Sequence, residues 1–302
     1  MLLLVLGTAA GGGLPQWNCA CPGCAGARAH PARRRLHASL AVRARPGRWY
    51  LVNATPDIGP QIEAHPELLP SSAPGADARR SPLAGVVLTD AELDHTLGIA
   101  RLREARDGVD VLATAPVRSA VRERLGLGAV LDPYTTVRWR ALSGTGVPLE
   151  EGSAIRVGAV PVSAKRPRYA AAAEPDPAWS VALRLHDTGS GRTVLYAPAL
   201  ASWSEAFEAA AREADVVFAD GTFWDDDEPV RAGFSQRTAT AMGHLPVTGP
   251  GGTAHRLAAL PGRCLYTHLN NTNPLGDPHA EQHKRLAEWG LEVAADRMVI
   301  EL

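Results

Sequence analysis

The sequence predicts a mixed α/β (α+β) fold, a four-layer αββα sandwich, in a single domain that spans residues 1–302. Many short segments rich in Val, Leu and Tyr, bounded by Gly, Pro, Asp or Asn, alternate with a few amphipathic helices. These segments divide into two strand-rich halves, each flanked by helices, which fits two stacked sheets with helices outside. Polar side chains follow several strands, so the functional loops should gather at one edge of the sandwich.

Each predicted strand is a short apolar run that ends at a turn-forming residue. The first run leads into Gly7 and the three glycines at 11–13. In chain order the predicted strands are Leu2–Leu6, Ser39–Val42, Trp49–Asn53, Val86–Thr89, Val109–Ala113, Ile155–Val162, Trp179–His186, Thr193–Ala197, Val216–Ala219, Leu265–His268, Leu291–Ala294 and Met298–Leu302.

Three longer helices are predicted from apolar spacing and end signals. Pro116–Leu125 places its large apolar residues on one stripe. Ser202–Ala214 opens with Ser202 and Glu205 in the spacing of a capping box. Asp277–Trp289 begins at an Asp-Pro pair and stops before a glycine.

Composition excludes several classes of protein. The net charge is -1, with 45% hydrophobic and 21% charged residues, so no nucleic-acid partner is expected. The apolar start lacks the basic residues of a signal peptide, and no apolar run reaches the ~18 residues of a membrane helix. We therefore expect a soluble cytoplasmic protein with no membrane partner, and a homodimer as its oligomeric state.

The most informative motif is the run Asp90-Ala91-Glu92-Leu93-Asp94-His95, which follows the strand Val86–Thr89. Three carboxylates and an imidazole at the exit of a buried strand are costly without a cation or a proton to neutralise them. This spacing therefore predicts a metal site at the end of that strand.

Polar residues also follow two later strands and occupy one further turn. Asp220 follows Val216–Ala219, His244 lies in a Gly-His-Leu-Pro turn, and His268 is followed by an Asn-rich run with Asn270 and Asn273. Asp220 before a glycine is also typical of an Asx turn, and asparagines are typical of turns.

Two imidazoles and one carboxylate form a ligand set with open positions. Asp94, His95 and His268 supply such a set, which suits Fe(II) used for oxygen chemistry. A zinc hydrolase with two metal ions would need more imidazole than Asp90 and Glu92 can offer.

Three of the four cysteines are crowded at Cys19, Cys21 and Cys24. This CxCxxC spacing, with a tight turn expected at Pro22-Gly23, predicts a structural Zn(II) site in a loop at 19–24. Cys264 lies in an apolar strand and is expected to act as a small hydrophobe. The fourth ligand stays open between Asn271 and a histidine such as His37.

Eight segments, in one order along nearly the whole chain, resemble the pyrroloquinoline quinone (PQQ) biosynthesis protein B family of the metallo-β-lactamase superfamily. They are Gly7–Gly13, Pro15–Cys19, Asn53–Ile58, Leu88–Gly98 and Tyr196–Pro198, followed by Asp220–Trp224 with Met242–Pro246, and finally His268–Pro274. The resemblance implies an αββα fold and a step in making the redox cofactor PQQ.

The resemblance further implies an iron-dependent hydroxylase that uses dioxygen. Its substrate would be the tyrosine ring of a small Glu-Tyr unit derived from a precursor peptide, and other proteins of the pathway would be its partners. Asp90 and Glu92 stand where the superfamily motif HxHxDH has its first two histidines. Ala197-Pro198 occupies the region of the bridging aspartate of hydrolytic relatives, and Asn271 replaces a histidine found there beside a similar cysteine cluster.

Within this hypothesis each remaining polar residue has a candidate role. Asp220 or Glu92 would be a further iron ligand or the hydrogen-bond partner of one, and His244 a catalytic acid or base. Asp90 and Glu92 could bind the amine or phenol of the substrate or orient His95. Asn270 and Asn273 could hold a substrate carboxylate or only pin their loop.

Two other functions remain open from the sequence. A metal-dependent hydrolase is supported by the superfamily alone, which is weak because one fold hosts many chemistries. A carrier of PQQ or an intermediate would need converging cations. The basic loop with Lys165, Arg166 and Arg168 could supply them, although such loops are more often only solvated.

Overall fold

The computed structural model describes all residues from Met1 to Leu302 and contains fourteen strands in two sheets. The strands are β1 (Leu2–Gly7), β2 (Ser39–Arg45), β3 (Arg48–Val52), β4 (Leu83–Val87), β5 (Val109–Ala113), β6 (Val137–Ala141), β7 (Val147–Pro148), β8 (Ile155–Ser163), β9 (Ser180–Asp187), β10 (Thr193–Tyr196), β11 (Val216–Asp220), β12 (Arg263–Thr267), β13 (Glu292–Val293) and β14 (Val299–Glu301).

Ten α-helices, most of them short, connect the strands. They are α1 (Pro22–Ala29), α2 (Ile58–Glu63), α3 (Leu93–Thr96), α4 (Ala115–Ser119), α5 (Leu127–Leu131), α6 (Glu205–Glu213), α7 (Glu228–Arg231), α8 (Ala239–Met242), α9 (Ala254–Ala258) and α10 (Gln282–Glu288). A π-helical stretch, Ala120–Arg124, continues α4, and 3₁₀ turns include Leu97–Glu104, Arg168–Ala170 and Pro177–Trp179. None of these helices combines the length and apolar character needed to cross a membrane.

The two sheets have seven strands each and pack face to face. Their strand orders are β14-β1-β2-β3-β4-β5-β6 and β13-β12-β11-β10-β9-β8-β7. One apolar core lies between the sheets and contains residues of both, such as Val52 and Leu183. Two further cores lie between each sheet and its outer helices, around Leu51 and Val217. The predicted αββα sandwich is therefore confirmed.

Strand direction explains why the polar loops meet. In the first sheet β3, β4, β5 and β6 run parallel, and in the second sheet β10, β11, β12 and β13 do. The carboxyl ends of parallel strands meet at the same edge, where ligand sites form in open α/β sheets. The loops after β4, β11 and β12 line one cavity there.

Two strands were absent from the sequence prediction. The edge strand β6 alternates Val, Arg, Trp and Arg, and its two arginines pair with Asp110 of β5. Because two of its five side chains are cations, it lacks the apolar run that marked the other strands. The two-residue strand β7 is too short for any periodic signal.

Three expectations about the ends of helices were wrong. The capping residue of α6 is Ser204, whose hydroxyl accepts from the Phe207 N–H, whereas the Ser202 hydroxyl donates to the Val162 carbonyl. Pro22-Gly23 opens α1 instead of forming an isolated turn, which suits proline in the first turn of a helix. The last helix begins at Gln282, not at Asp277, because residues 277–281 form turns before it.

Candidate metal centre

Asp94, His95 and His268 converge at the floor of the cavity. Asp94 and His95 belong to α3, and His268 follows β12 directly. The Asp94 Oδ2 atom lies 3.6 Å from His95 Nε2 and 3.5 Å from His268 Nε2. Their ligand atoms all lie within 4.8 Å of one another, so one cation could bind all three.

The two imidazole Nε2 atoms make this cluster fit a metal. Both are buried and have no hydrogen-bond partner in the protein. Buried polar atoms are normally paired, and each exception calls for an explanation. Neutral imidazole nitrogens that face a carboxylate are typical metal ligands.

Asp90 fixes the tautomer of His95. Its carboxylate accepts from His95 Nδ1 at 2.8 Å, so that deprotonation of His95 removes the Nε2 proton and leaves that lone pair directed at the cluster. Burial alone would lower the pKa of His95, but Asp90 and Asp94 outweigh it and raise that pKa to about 9. A metal bound here must therefore displace a proton from His95.

Thr222 and Asp220 fix the tautomer of His268 in the same way. The single hydroxyl proton of Thr222 is donated to Asp220 Oδ1 at 2.6 Å. The Thr222 oxygen can then only accept from His268 Nδ1, at 2.9 Å. His268 also has a backbone φ of 59°, a left-handed conformation that is unusual for this residue type and common at functional sites.

Asp220 supports histidines and does not join the group of Asp94 and His95. Its Oδ2 accepts from His244 Nδ1 at 2.7 Å and from the Leu200 N–H at 2.8 Å. Burial opposes ionisation, but the neighbouring His244 keeps the pKa of Asp220 below its usual value. Asp220 lies within ligand distance of His244 and His268, so the structure favours its alternative role as hydrogen-bond partner of a ligand.

The remaining predicted residues fall into two groups. Glu92, His244 and Asn270 line the cavity. Asn273 does not line it, because its amide donates to the Gly221 carbonyl and accepts from the Leu275 N–H. Of the two roles offered for Asn273, these contacts favour pinning of the loop.

The cysteine cluster forms a separate candidate site. The Sγ atoms of Cys19, Cys21 and Cys24 converge, and the Asn271 side-chain amide lies 3.3–3.4 Å from all three. His37 does not join the cysteine cluster, and its Nδ1 pairs with the Asp57 carboxylate at 2.6 Å. Asn271 is therefore the better placed of the two candidates for the fourth ligand, since a flip of its amide would present Oδ1 to the three thiols.

The cavity above the histidines has a volume of about 640 Å³. Phe223 and Phe234 stack on one wall with ring centroids 6.2 Å apart. Lys165, Arg168 and Arg237 also line it. Sequence reasoning missed Thr222, Phe234 and Arg237; only Thr222, directly after Asp220-Gly221 at a strand end, carried a local signal.

The fold and the ligand cluster define a member of the β-lactamase superfamily, and the family model described as "Beta-lactamase superfamily domain" matches residues 48–269. Within that superfamily, the chain belongs to the coenzyme PQQ synthesis protein B family. It is 41% identical to the family member of Azoarcus sp. (strain BH72) over 100% of both chains, and 40% identical to that of Cupriavidus necator over 99% and 98%.

Solved structures agree with this assignment. The zinc-bound PqqB from Methylobacterium extorquens is 30% identical and superposes with a TM-score of 0.88 over 100% of both chains. A diphosphatase of the PhnP family, 17% identical, has a TM-score of 0.69 over 100% of this chain and 97% of its own, which shows the fold alone. The superfamily, the zinc-bound relative and the ligand cluster together support a metal cofactor.

Proposed function

We propose that this protein acts in PQQ synthesis as an iron- and oxygen-dependent hydroxylase of the tyrosine ring of a Glu-Tyr unit. The names of its relatives support the pathway. The observation that carries the reaction type is the convergence of Asp94, His95 and His268 below an open cavity. Two imidazoles and one carboxylate leave coordination positions free, as Fe(II) oxygen chemistry requires.

The segment after β10 argues against hydrolysis with two metal ions. It supplies Ala197, Pro198 and Ala199, of which Ala199 lines the cavity. None of these side chains can bridge two cations. Asp90 stands at the position of the first histidine of the superfamily motif. Its carboxylate already accepts a hydrogen bond from His95.

Bound Fe(II) would supply the activation of dioxygen. One oxygen atom is inserted into a C–H bond of the phenol ring, which gives a second hydroxyl, and the other leaves as water, so two electrons and two protons must come from an external reductant. Phe223 and Phe234 offer an aromatic wall for the substrate ring. His244 donates its Nδ1 proton to Asp220, so its Nε2 is free to accept a proton from the phenol.

One observation favours a second candidate, a carrier of PQQ or an intermediate. The basic loop with Lys165, Arg166 and Arg168 faces the same cavity as the metal ligands and is not merely solvated. A carrier would bind the finished quinone tightly and consume no oxygen.

Anaerobic loading with Fe(II), followed by exposure to oxygen with a Glu-Tyr substrate and a reductant, tests the proposal. We expect oxygen uptake and a product heavier by one oxygen atom, both lost in His268→Ala. The exposed His255, which packs on Trp289 away from the cavity, provides the control variant His255→Ala. Full hydroxylation by His268→Ala would refute the ligand assignment, and tight quinone binding without oxygen uptake would establish the carrier.

A further inference from the structure

The charges that line the cavity are unevenly paired. The three acidic residues of the lining all have cationic or imidazole neighbours: Asp90 contacts His95, Asp94 contacts His95 and His268, and Glu92 Oε1 lies 3.8 Å from Lys165 Nζ. Three arginines line the same cavity, and none of them has a carboxylate within 4.0 Å. Arg166 donates to the Ala173 carbonyl, whereas Arg168 and Arg237 have no such partner. Two guanidinium groups are therefore left unpaired beside the site.

These two arginines come from separate parts of the chain. Arg168 lies in the loop between β8 and β9, held to the site where the neighbouring Tyr169 hydroxyl donates to the Ala91 carbonyl at 2.6 Å. Arg237 lies between α7 and α8, on the segment that also carries Phe234. Both arginines are exposed, whereas His95 and His268 are buried, so the arginines occupy the mouth and the histidines the floor.

The lining of the cavity offers one further polar group. Ser180, at the start of β9, lines the cavity and is only 6% exposed. Its hydroxyl has no hydrogen-bond partner in the protein. A buried hydroxyl without a partner beside an open cavity can be satisfied by a polar group of a ligand.

We propose that Arg168 and Arg237 form a carboxylate-binding subsite at the mouth of the cavity. This subsite holds the anionic end of the substrate there, while the end that reacts points to the floor. Arginine suits this task because its planar fork binds carboxylates through two parallel hydrogen bonds. The inference rests on the proposed function only in taking this cavity as the substrate site, and it restricts the substrates to aromatic compounds with carboxylates remote from the reacting ring carbon.

Binding of an unreactive probe tests the subsite without turnover. The probe is benzene-1,3,5-tricarboxylate, with the uncharged benzene-1,3,5-tricarboxamide as its neutral counterpart, each titrated into the full-length protein by calorimetry. Since each charge-assisted contact is lost, Arg168→Gln/Arg237→Gln should weaken tricarboxylate binding by roughly tenfold or more. Binding of the tricarboxamide should not change.

Two matched variants complete the test. Arg168→Lys/Arg237→Lys, which keeps the charge and loses the fork, should bind with intermediate affinity. Arg184→Gln removes an arginine that pairs with Glu213 away from the cavity and should bind like the unaltered protein. Equal tricarboxylate affinity in the double Gln variant, or no binding to the unaltered protein at millimolar concentration, would overturn the subsite. Arginine-dependent binding in a protein that consumes no oxygen would refute the hydroxylase and leave the subsite standing.

Discussion

At the scale of single residues, the site depends on side chains that hold its histidines in one tautomer. Asp90 accepts a hydrogen bond from His95 Nδ1. Thr222, whose own proton is donated to Asp220, accepts one from His268 Nδ1. Both histidines therefore present Nε2 to the same point. Partners of this kind orient metal ligands and raise their basicity.

The substitution Asp90→Asn should weaken the metal site. The amide keeps the volume of the side chain but loses the charge that stabilises the His95 tautomer. We expect the affinity for Fe(II) or Zn(II) to fall by roughly 10–100-fold, with folding retained. Metal titration measures this, with Asp110→Asn, away from the cavity, as the control. Unchanged affinity in Asp90→Asn would show that Asp90 plays no part in orienting the ligand.

Metal binding should also release a proton. The pKa of His95 in the metal-free protein is about 9, so below that pH the imidazolium competes with the metal. The apparent affinity should rise by up to about tenfold per pH unit between pH 7 and 9 and then level off. Calorimetry in buffers of different ionisation enthalpy counts the protons. No proton release at pH 7 would contradict the charged state assigned to His95.

The sequence predicted Asp94, His95 and His268 as one ligand set because each follows the end of an apolar strand, and the structure brings their ligand atoms within 4.8 Å of one another. The sequence was not sufficient to assign the tautomers, since Thr222 and His268 are 46 residues apart and their contact exists only after β11 and β12 pair. The sequence likewise left Asp220 as either a ligand or the hydrogen-bond partner of one, because its contact with His244 spans 24 residues.

At the scale of elements, the cysteine loop at 19–24 supports the loop that carries His268. Cys24 and Ala27 of α1 pack on Ala9 and Leu14, and the Ala10 N–H donates to the Leu269 carbonyl. Asn271, beside the three thiols, belongs to the same loop as His268. A substitution in the cysteine cluster should therefore also displace the loop that carries His268 at the floor of the cavity.

Cys24→Ser should lose the zinc of the loop and unfold at a lower temperature. Structural zinc sites contribute directly to folding free energy, because the ligand set is assembled only in the folded chain and zinc therefore binds the folded state. Burial raises the pKa of Cys24 to about 11, so the free thiol stays protonated without metal. Cys264→Ser, at a buried cysteine outside the cluster, is the matched control and should retain zinc. Equal zinc content in both variants would contradict the site.

Glu228 of α7 should make stability depend on pH. Its carboxylate accepts from the Trp224 N–H and the Thr272 hydroxyl, and burial raises its pKa to about 7. The unfolded chain ionises from about pH 4.5, so this group's contribution to stability falls as pH rises from there to 7. Glu228→Gln should therefore gain on the order of 2 kcal/mol relative to the unaltered protein across that window.

Denaturant unfolding at pH 4.5 and 7.5 measures this difference. The exposed Glu288 has no ion pair, and Glu288→Gln should shift stability equally at both pH values. A constant difference between Glu228→Gln and the unaltered protein would show that Glu228 keeps an ordinary pKa.

At the scale of the whole molecule, the layer order and one-edge site were predictable because apolar periodicity and strand ends are local signals. Neither the edge strand β6 nor the mouth of the cavity was predicted. The arginines of β6 interrupt the apolar pattern that marks the other strands. Arg168 and Arg237 lie 69 residues apart in the numbering, and only the fold brings both to the lining of one cavity. Such convergence depends on topology and leaves no motif.

The central claim is that Asp94, His95 and His268 bind one metal ion separate from the cysteine site. Elemental analysis of protein purified without oxygen, beside His268→Ala, tests it most directly. We expect zinc and a separate iron in the unaltered protein, and zinc alone in the variant. Iron retained at equal occupancy in His268→Ala would contradict it.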